Sequence, residues 1–201
     1  MKALKVIFVT LIVIVVLAAL VGLFLPSKFK VERSIVIKAP ADIIFENVND
    51  LKKAEKWNAW MSQDTTMKIT YGEKTAGVGA TSSWTSKHSG SGSQKIIESD
   101  RPTGTKTHLD FGSMGTATGY FNFEETSSGT KVTNGFYGDY GMNLMGRYFG
   151  LGLEGMVGPY FEKGLTKLKE ISEQEARQAE AMKAQEAEAD SLQAEASERA
   201  E

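Results

Sequence analysis

The sequence predicts an α+β fold: a curved antiparallel sheet around one long C-terminal helix, preceded by a single transmembrane helix. Three observations predict it. Between Met67 and Tyr137, six segments show a period of two, separated by Gly-, Ser- or Pro-containing connections, as in an antiparallel meander. Val157, Phe161, Leu165, Leu168 and Ile171 then repeat at spacings of 4, 4, 3 and 3, which puts one apolar stripe on a helix able to cover that sheet. Finally, Val6 to Leu25 is a 20-residue run without a charged side chain, about 30 Å long as a helix and matched to the hydrocarbon core of a bilayer.

The centre of that run, Leu11 to Leu17, contains only Leu, Ile and Val, which insert favourably into lipid. A cleaved signal peptide is the rival reading, but it calls for a shorter apolar region and a small-x-small cleavage site. Ala19-Leu20-Val21 matches that site poorly, and no Cys follows to take a lipid anchor. The expectation is an uncleaved anchor over residues 1–25. Lys2 and Lys5 precede it, and Lys28, Lys30, Arg33 and Lys38 follow it, so the positive-inside rule pulls both ways. The short basic N-terminus resembles a signal anchor, which favours an extracytoplasmic domain.

Residues 26–171 form the folded domain. Val31 to Ile37 alternates as a first strand, and Pro40 followed by Asp42 opens a helix over Ala41 to Asn49, since proline suits the first turn and an acid complements the helix dipole there. A second short helix is expected over Leu51 to Trp57. The six later strands are Met67 to Tyr71, Val78 to Trp84, Ser93 to Glu98, Thr105 to Phe111, Thr116 to Glu124 and Thr130 to Tyr137. Lys87 to Gly92 reads as a turn. The closing helix is the only element long enough to cover the apolar face of the sheet, and the space between them is where a site should lie.

Residues 172–201 are different in kind: nine Ala, nine acids and three bases, with Met182 and Leu192 as the only large apolar side chains. Ten residues apart, these two make no heptad seam. Glu173/Arg177 and Glu195/Arg199 are favourable helical pairs, so a solvated helical extension or a disordered tail is expected, with a protein partner as a further role. The formal net charge of −2 is thus a cancellation: +2 before the apolar run, +2 in the domain (18 bases against 16 acids) and −6 in the tail.

Several functions are excluded by composition. The chain has no Cys, hence no disulfide, thiolate metal site or cysteine nucleophile. The domain's small charge supplies no positive field for nucleic acid. His88 falls in the turn, and His108 alternates out of phase with Leu109 and Phe111, sharing an outer face with Asp110. No Gly-x-Ser-x-Gly or His-Glu-x-x-His motif occurs. Gly150-Leu-Gly-Leu-Glu-Gly155 is formally G-x-G-x-x-G, but it follows a meander instead of opening a βαβ unit, so dinucleotide binding is rejected. No catalytic residue, metal ligand or cofactor is assigned.

The stretch Arg33-Ser-Ile-Val-Ile-Lys-Ala-Pro-Ala-Asp-Ile-Ile-Phe-Glu-Asn-Val-Asn-Asp50, followed by Trp57-Asn-Ala-Trp60, resembles the opening of the SRPBCC proteins, the START-related, polyketide-cyclase-like proteins with a helix-grip fold. Phe121-x-Phe123-Glu124 with Gly129-Thr-Lys-Val-Thr133 resembles their late hairpin, and Gly158-x-x-Phe161-Glu-Lys-Gly-Leu-x-x-Leu168-Lys resembles their closing helix. Two features depart from the pattern: Asn134 stands where an aromatic is frequent, and Gly158-Pro159 interrupts a helix that is usually continuous.

The resemblance implies a hydrophobic cavity for a lipid, quinone or polyketide-like molecule. Alternation places Leu109, Phe111, Phe121 and Phe123 on the inner face, and Val132, Asn134 and Phe136 on one shared face. Trp57, Trp60, Trp84 and Phe161 complete the candidate lining, with core packing as the alternative for the tryptophans. A buried Asn134 amide needs partners, from the sheet or from a ligand carbonyl. Met142, Met145, Phe149 and Met156 lie in a glycine-rich stretch that reads either as a lid touching the bilayer or as a glycine-weakened start of the core helix. Membrane-anchored binding or transfer of a hydrophobic small molecule leads; a cyclase- or hydrolase-like enzyme and an interaction protein using its acidic tail are the alternatives.

Overall fold

The structure, a computed structural model, describes residues 2–198. It begins with α1 (Lys2–Phe24) and continues through β1 (Lys28–Ile37) and α2 (Ala41–Asn49). A 3₁₀ turn (Lys53–Lys56) and α3 (Ala59–Gln63) precede the meander: β2 (Lys68–Tyr71), β3 (Thr81–Thr85), β4 (Ser91–Asp100), β5 (Gly104–Asp110), β6 (Thr116–Thr126) and β7 (Gly129–Asp139). The chain closes with α4 (Leu144–Glu198). All seven strands form one sheet in the order β1-β7-β6-β5-β4-β3-β2, antiparallel at every step. The first strand returns to pair with the last, from Lys28↔Asp139 to Ile37↔Thr130.

Alternation decides which residues face α4. On β1, Val31 and Ile37 are buried while Lys30 and Glu32 form an ion pair on the outer face at 2.7 Å. α4 packs along β1 and β7 and against α2 and α3. The main core, containing Ile37, Ile44, Phe45, Val48, Trp57, Phe123, Val132, Leu165 and Leu168, lies beneath the middle of α4. A second cluster of Val31, Ala117, Phe136, Leu153 and Val157 lies beneath its first turns. Packing continues past Ile171: Ser172 is fully buried and Ala176 belongs to the main core.

Several boundaries differ from expectation for identifiable reasons. The Leu51–Trp57 helix contracts to the 3₁₀ turn, and α3 forms because the Asn58 side chain caps it, accepting the Trp60 N–H at 2.9 Å. Val78 is half-exposed outside β3, since Gly77 (φ 71°) and Gly79 (φ 90°) turn the chain there. Ser91 and Gly92 join β4, and the turn tightens to Ser86–Gly90, closed by a 2.9 Å backbone bond. Phe111 follows β5 and begins the 3₁₀ turn Gly112–Met114. Most consequential, α4 starts at Leu144 and runs through Pro159, so the glycine-rich stretch is its first four turns. In the tail, Glu173 pairs with Lys169 at 2.5 Å; the Glu195/Arg199 pair extends outside the described residues.

Asp64, at the end of α3, ties that corner to the β3–β4 turn. It accepts hydrogen bonds from Ser86 Oγ, Thr66 Oγ1 (2.6 Å), Thr66 N (2.9 Å) and Ser89 Oγ (2.8 Å). These hydroxyls, Ser86 foremost, hold its acid well below the ordinary 3.8. A lowered folded-state value stabilises the fold above pH about 4, and this contribution is lost as pH falls further. Asp64→Asn should therefore lower Tm at neutral pH and reduce the acid-induced drop in Tm. Thermal melts at neutral pH and near pH 3 check this; an unchanged acid limb would refute it.

Candidate functional site

Because α4 covers the β1–β7 side, the inner face of β3 to β6 is only partly covered. Trp84, Leu109, Phe111 and Phe121 are half-buried there, as are Gln94, Thr107 and Gly119. Trp84 meets Phe111 edge-on at 5.9 Å. Gly92 keeps the floor low beneath Trp84: a Cβ there would overlap the indole and lie 2.6 Å from the Asp110 carbonyl. One wall comes from α3 and α4, where Trp60 stacks flat on Tyr160 (3.8 Å, 4°) and Phe161 meets Phe136 edge-on (5.8 Å, 89°). Together these residues form a half-buried, largely aromatic face beside α4, the candidate groove.

The predicted residues divide between groove and core. Trp57 and Phe123 are buried under α4; Trp57 donates Nε1–H to the Asn47 carbonyl at 2.9 Å, and Phe123 meets Phe45 at 6.4 Å. Phe136 is buried but reaches Phe161 at the groove wall. Asn134 is half-buried, in register between Arg33 and Phe121. Met142 stands just before α4, and Met145, Phe149 and Met156 point outward from its first turns. Two open surface depressions lie elsewhere. One, about 330 Å³, is lined by Glu162, Lys163, Thr166, Lys167 and Glu170; the other, about 340 Å³, by Glu55, Met61, Ser62, Met67 and Ile69.

Arg33 was not anticipated. It shares the inward phase of Val31 and Ile35, and a charge in an apolar phase is the signal that marks it. Its guanidinium crosses α4, with Nη1 2.5 Å from Glu154 and Nε 2.6 Å from Glu162; both hold it in its charged form, Glu162 more strongly. Gln94, in phase with Ile96, is an uncharged polar residue in an apolar phase and donates to Ser82 Oγ at 2.9 Å. By contrast, His108 and Glu124 are exposed on the outer face, and Asp110 accepts the Gly112 N–H at 2.8 Å. The Glu32 carboxylate, lowered chiefly by Lys30, also lies on that outer face with Tyr120. Among the described residues, no cluster of three acidic or histidine side chains has metal-binding geometry.

This seven-stranded sheet closed by a long C-terminal helix is the helix-grip arrangement. Residues 28–173 match the family model described as polyketide cyclase / dehydrase and lipid transport. The chain belongs to that family. Among solved structures, the protein of unknown function SA2116 from Staphylococcus aureus is 13% identical with a TM-score of 0.56, covering 75% of this chain and 96% of that one. The di-domain ARO/CYC StfQ from the steffimycin biosynthetic pathway is 10% identical with a TM-score of 0.55, covering 74% of this chain and 52% of its own. BH1534 from Bacillus halodurans is 16% identical with a TM-score of 0.52, covering 71% and 96%. At these identities the likeness is one of fold. No curated protein sequence gives a significant match.

Proposed function

We propose that this family member binds or transfers a hydrophobic small molecule, of lipid, quinone or polyketide-like character, in the groove between the sheet and α4. The observation that carries this reading is the partly covered apolar inner face of β3 to β6, with Trp84, Leu109, Phe111 and Phe121 half-buried where a filled core would bury them. Gln94, Thr107 and Asn134 offer neutral polar contacts suited to a carbonyl or hydroxyl. α1 is the membrane anchor, retained in the mature chain, with the domain on the extracytoplasmic side. Tethering keeps the groove at high effective concentration beside ligands dissolved in the bilayer. From Glu180 to Ser197 α4 continues into solvent as an exposed, acidic rod.

Native mass spectrometry of the full chain from its own membrane, paired with lipid extraction, tests this. A reproducible co-purifying hydrophobe is expected. Leu109→Asp places a carboxylate in the groove without entering the main core, and should reduce ligand occupancy at least about tenfold, a change of ~1.4 kcal/mol. Unchanged occupancy in a folded Leu109→Asp variant would move the ligand out of this groove.

A further inference from the structure

α1 does not hang from the domain by a flexible tether. Only Leu25, Pro26 and Ser27 separate it from β1, and the Ser27 carbonyl accepts the Tyr140 N–H at 2.8 Å. The last carbonyls of a helix lack intrahelical partners. Here Arg147 of α4 supplies some: Nη1 donates to the carbonyls of Gly22 (3.3 Å), Leu23 (2.8 Å) and Leu25 (3.2 Å). Its Nε and Nη2 hold the Gly141 carbonyl at 2.9 and 2.7 Å. Tyr148 reaches further and donates its hydroxyl to the Ala18 carbonyl at 2.6 Å. Gly22, the one buried residue of α1, permits this approach; a Cβ there would lie 3.1 Å from the Tyr148 ring and 3.4 Å from Leu144 Cβ.

The depth of these contacts matters. If Val6 to Leu25 fills the hydrocarbon, Ala18 lies about 10 Å below the end of the run. Side chains touching Ala18 and Gly22 must then lie within about 10 Å of the end of the hydrocarbon, a zone that tyrosine rings and snorkelling arginine heads favour. On the adjoining face of the same turns, Met145, Phe149, Gly152 and Met156 fall at i, i+4, i+7 and i+11, one continuous stripe. Met145 is 79% exposed, Phe149 52% and Met156 46%, while Met142 beside them is 74% exposed. In contrast, Leu153 and Val157 of the same turns are buried in the cluster that reaches Leu109, Phe111 and Phe161.

We propose that Met142, Met145, Phe149 and Met156 are embedded in the interfacial layer of the bilayer that α1 crosses, and that the Arg147–Tyr148 clasp fixes them there. This rests on α1 being a retained anchor. The same four turns then present one face to lipid and the other to the apolar cluster beside the groove.

The absence of Cys allows a single nitroxide label per variant. The full chain carrying Met145→Cys, in nanodiscs of phosphatidylcholine and phosphatidylglycerol, is probed for oxygen against nickel-chelate accessibility. Val13→Cys reports α1, and His88→Cys reports water. Position 145 is expected about 5–10 Å below the headgroup level, and Arg147→Ala or Gly22→Leu should shift it toward water. If position 13 reads lipid and position 145 reads like position 88, the docking proposal is overturned while the anchor stands. If position 13 reads water, the anchor reading fails and the docking falls with it. A lipid reading at 145 unmoved by either clasp variant would overturn the clasp's role.

Discussion

Trp57→Ala is expected to lower folding stability by about 3–5 kcal/mol, the range for deleting a buried tryptophan. The ring is 8% exposed and meets Phe121 edge-on at 5.5 Å, within the core that holds Leu165 and Leu168. Its Nε1–H also satisfies the Asn47 carbonyl, among the last four of α2 and so without an intrahelical donor. Trp57→Phe separates the two contributions. It retains most of the packing and removes the hydrogen bond, for an expected loss of about 1–2 kcal/mol. Denaturant unfolding of both variants checks the pair. A near-neutral Trp57→Ala would assign the ring to the groove rather than to the core, and would then be accompanied by a loss of ligand occupancy.

The strands were legible because their physics is local. Alternation through Leu109, Phe121, Phe123, Val132 and Phe136 places all five on the α4 side, since a period of two leaves one choice of face. The closing stripe Val157 to Ile171 was legible for the same reason. What local pattern obscured was the start of α4. Gly146, Gly150, Gly152, Gly155, Gly158 and Pro159 read locally as helix-weakening, yet the helix runs through them. Several of these glycines answer to tertiary neighbours: Gly146 and Gly150 lie against the Tyr140 ring, and Gly158 against Arg33. Such contacts have no signature along the chain.

The candidate site was proposed from composition and is less legible in position. Sequence parity put Leu109, Phe111 and Phe121 beside the space under α4, but it carries no measure of how far α4 covers the sheet. That coverage decides which aromatics line a groove and which fill a core. Phe121 and Phe123 share a face, yet Phe121 is half-buried while Phe123 is packed. Arg33 was overlooked because its acidic partners lie 121 and 129 residues away.

Gly158→Ala is the substitution whose sign discriminates most sharply. Alanine is favoured over glycine in a helix interior by about 1 kcal/mol, so propensity alone predicts stabilisation. A methyl at Gly158 would overlap the Arg33 guanidinium, which Glu154 and Glu162 hold from both sides, so that end of the side chain must shift and strain or break both ion pairs. In the native chain Gly158→Ala should therefore lower Tm, by displacing Arg33 from both carboxylates. With Arg33→Ala already in place the obstacle is gone, and the same substitution should raise stability by up to about 1 kcal/mol. Gly155→Ala supplies the control, because its Cβ would meet open space; it should stabilise in either background. Opposite signs for Gly158→Ala, read as a double-mutant cycle, would show that this glycine is kept to let an arginine from the first strand cross the last helix. Equal signs in both backgrounds would remove Arg33 as the reason for it.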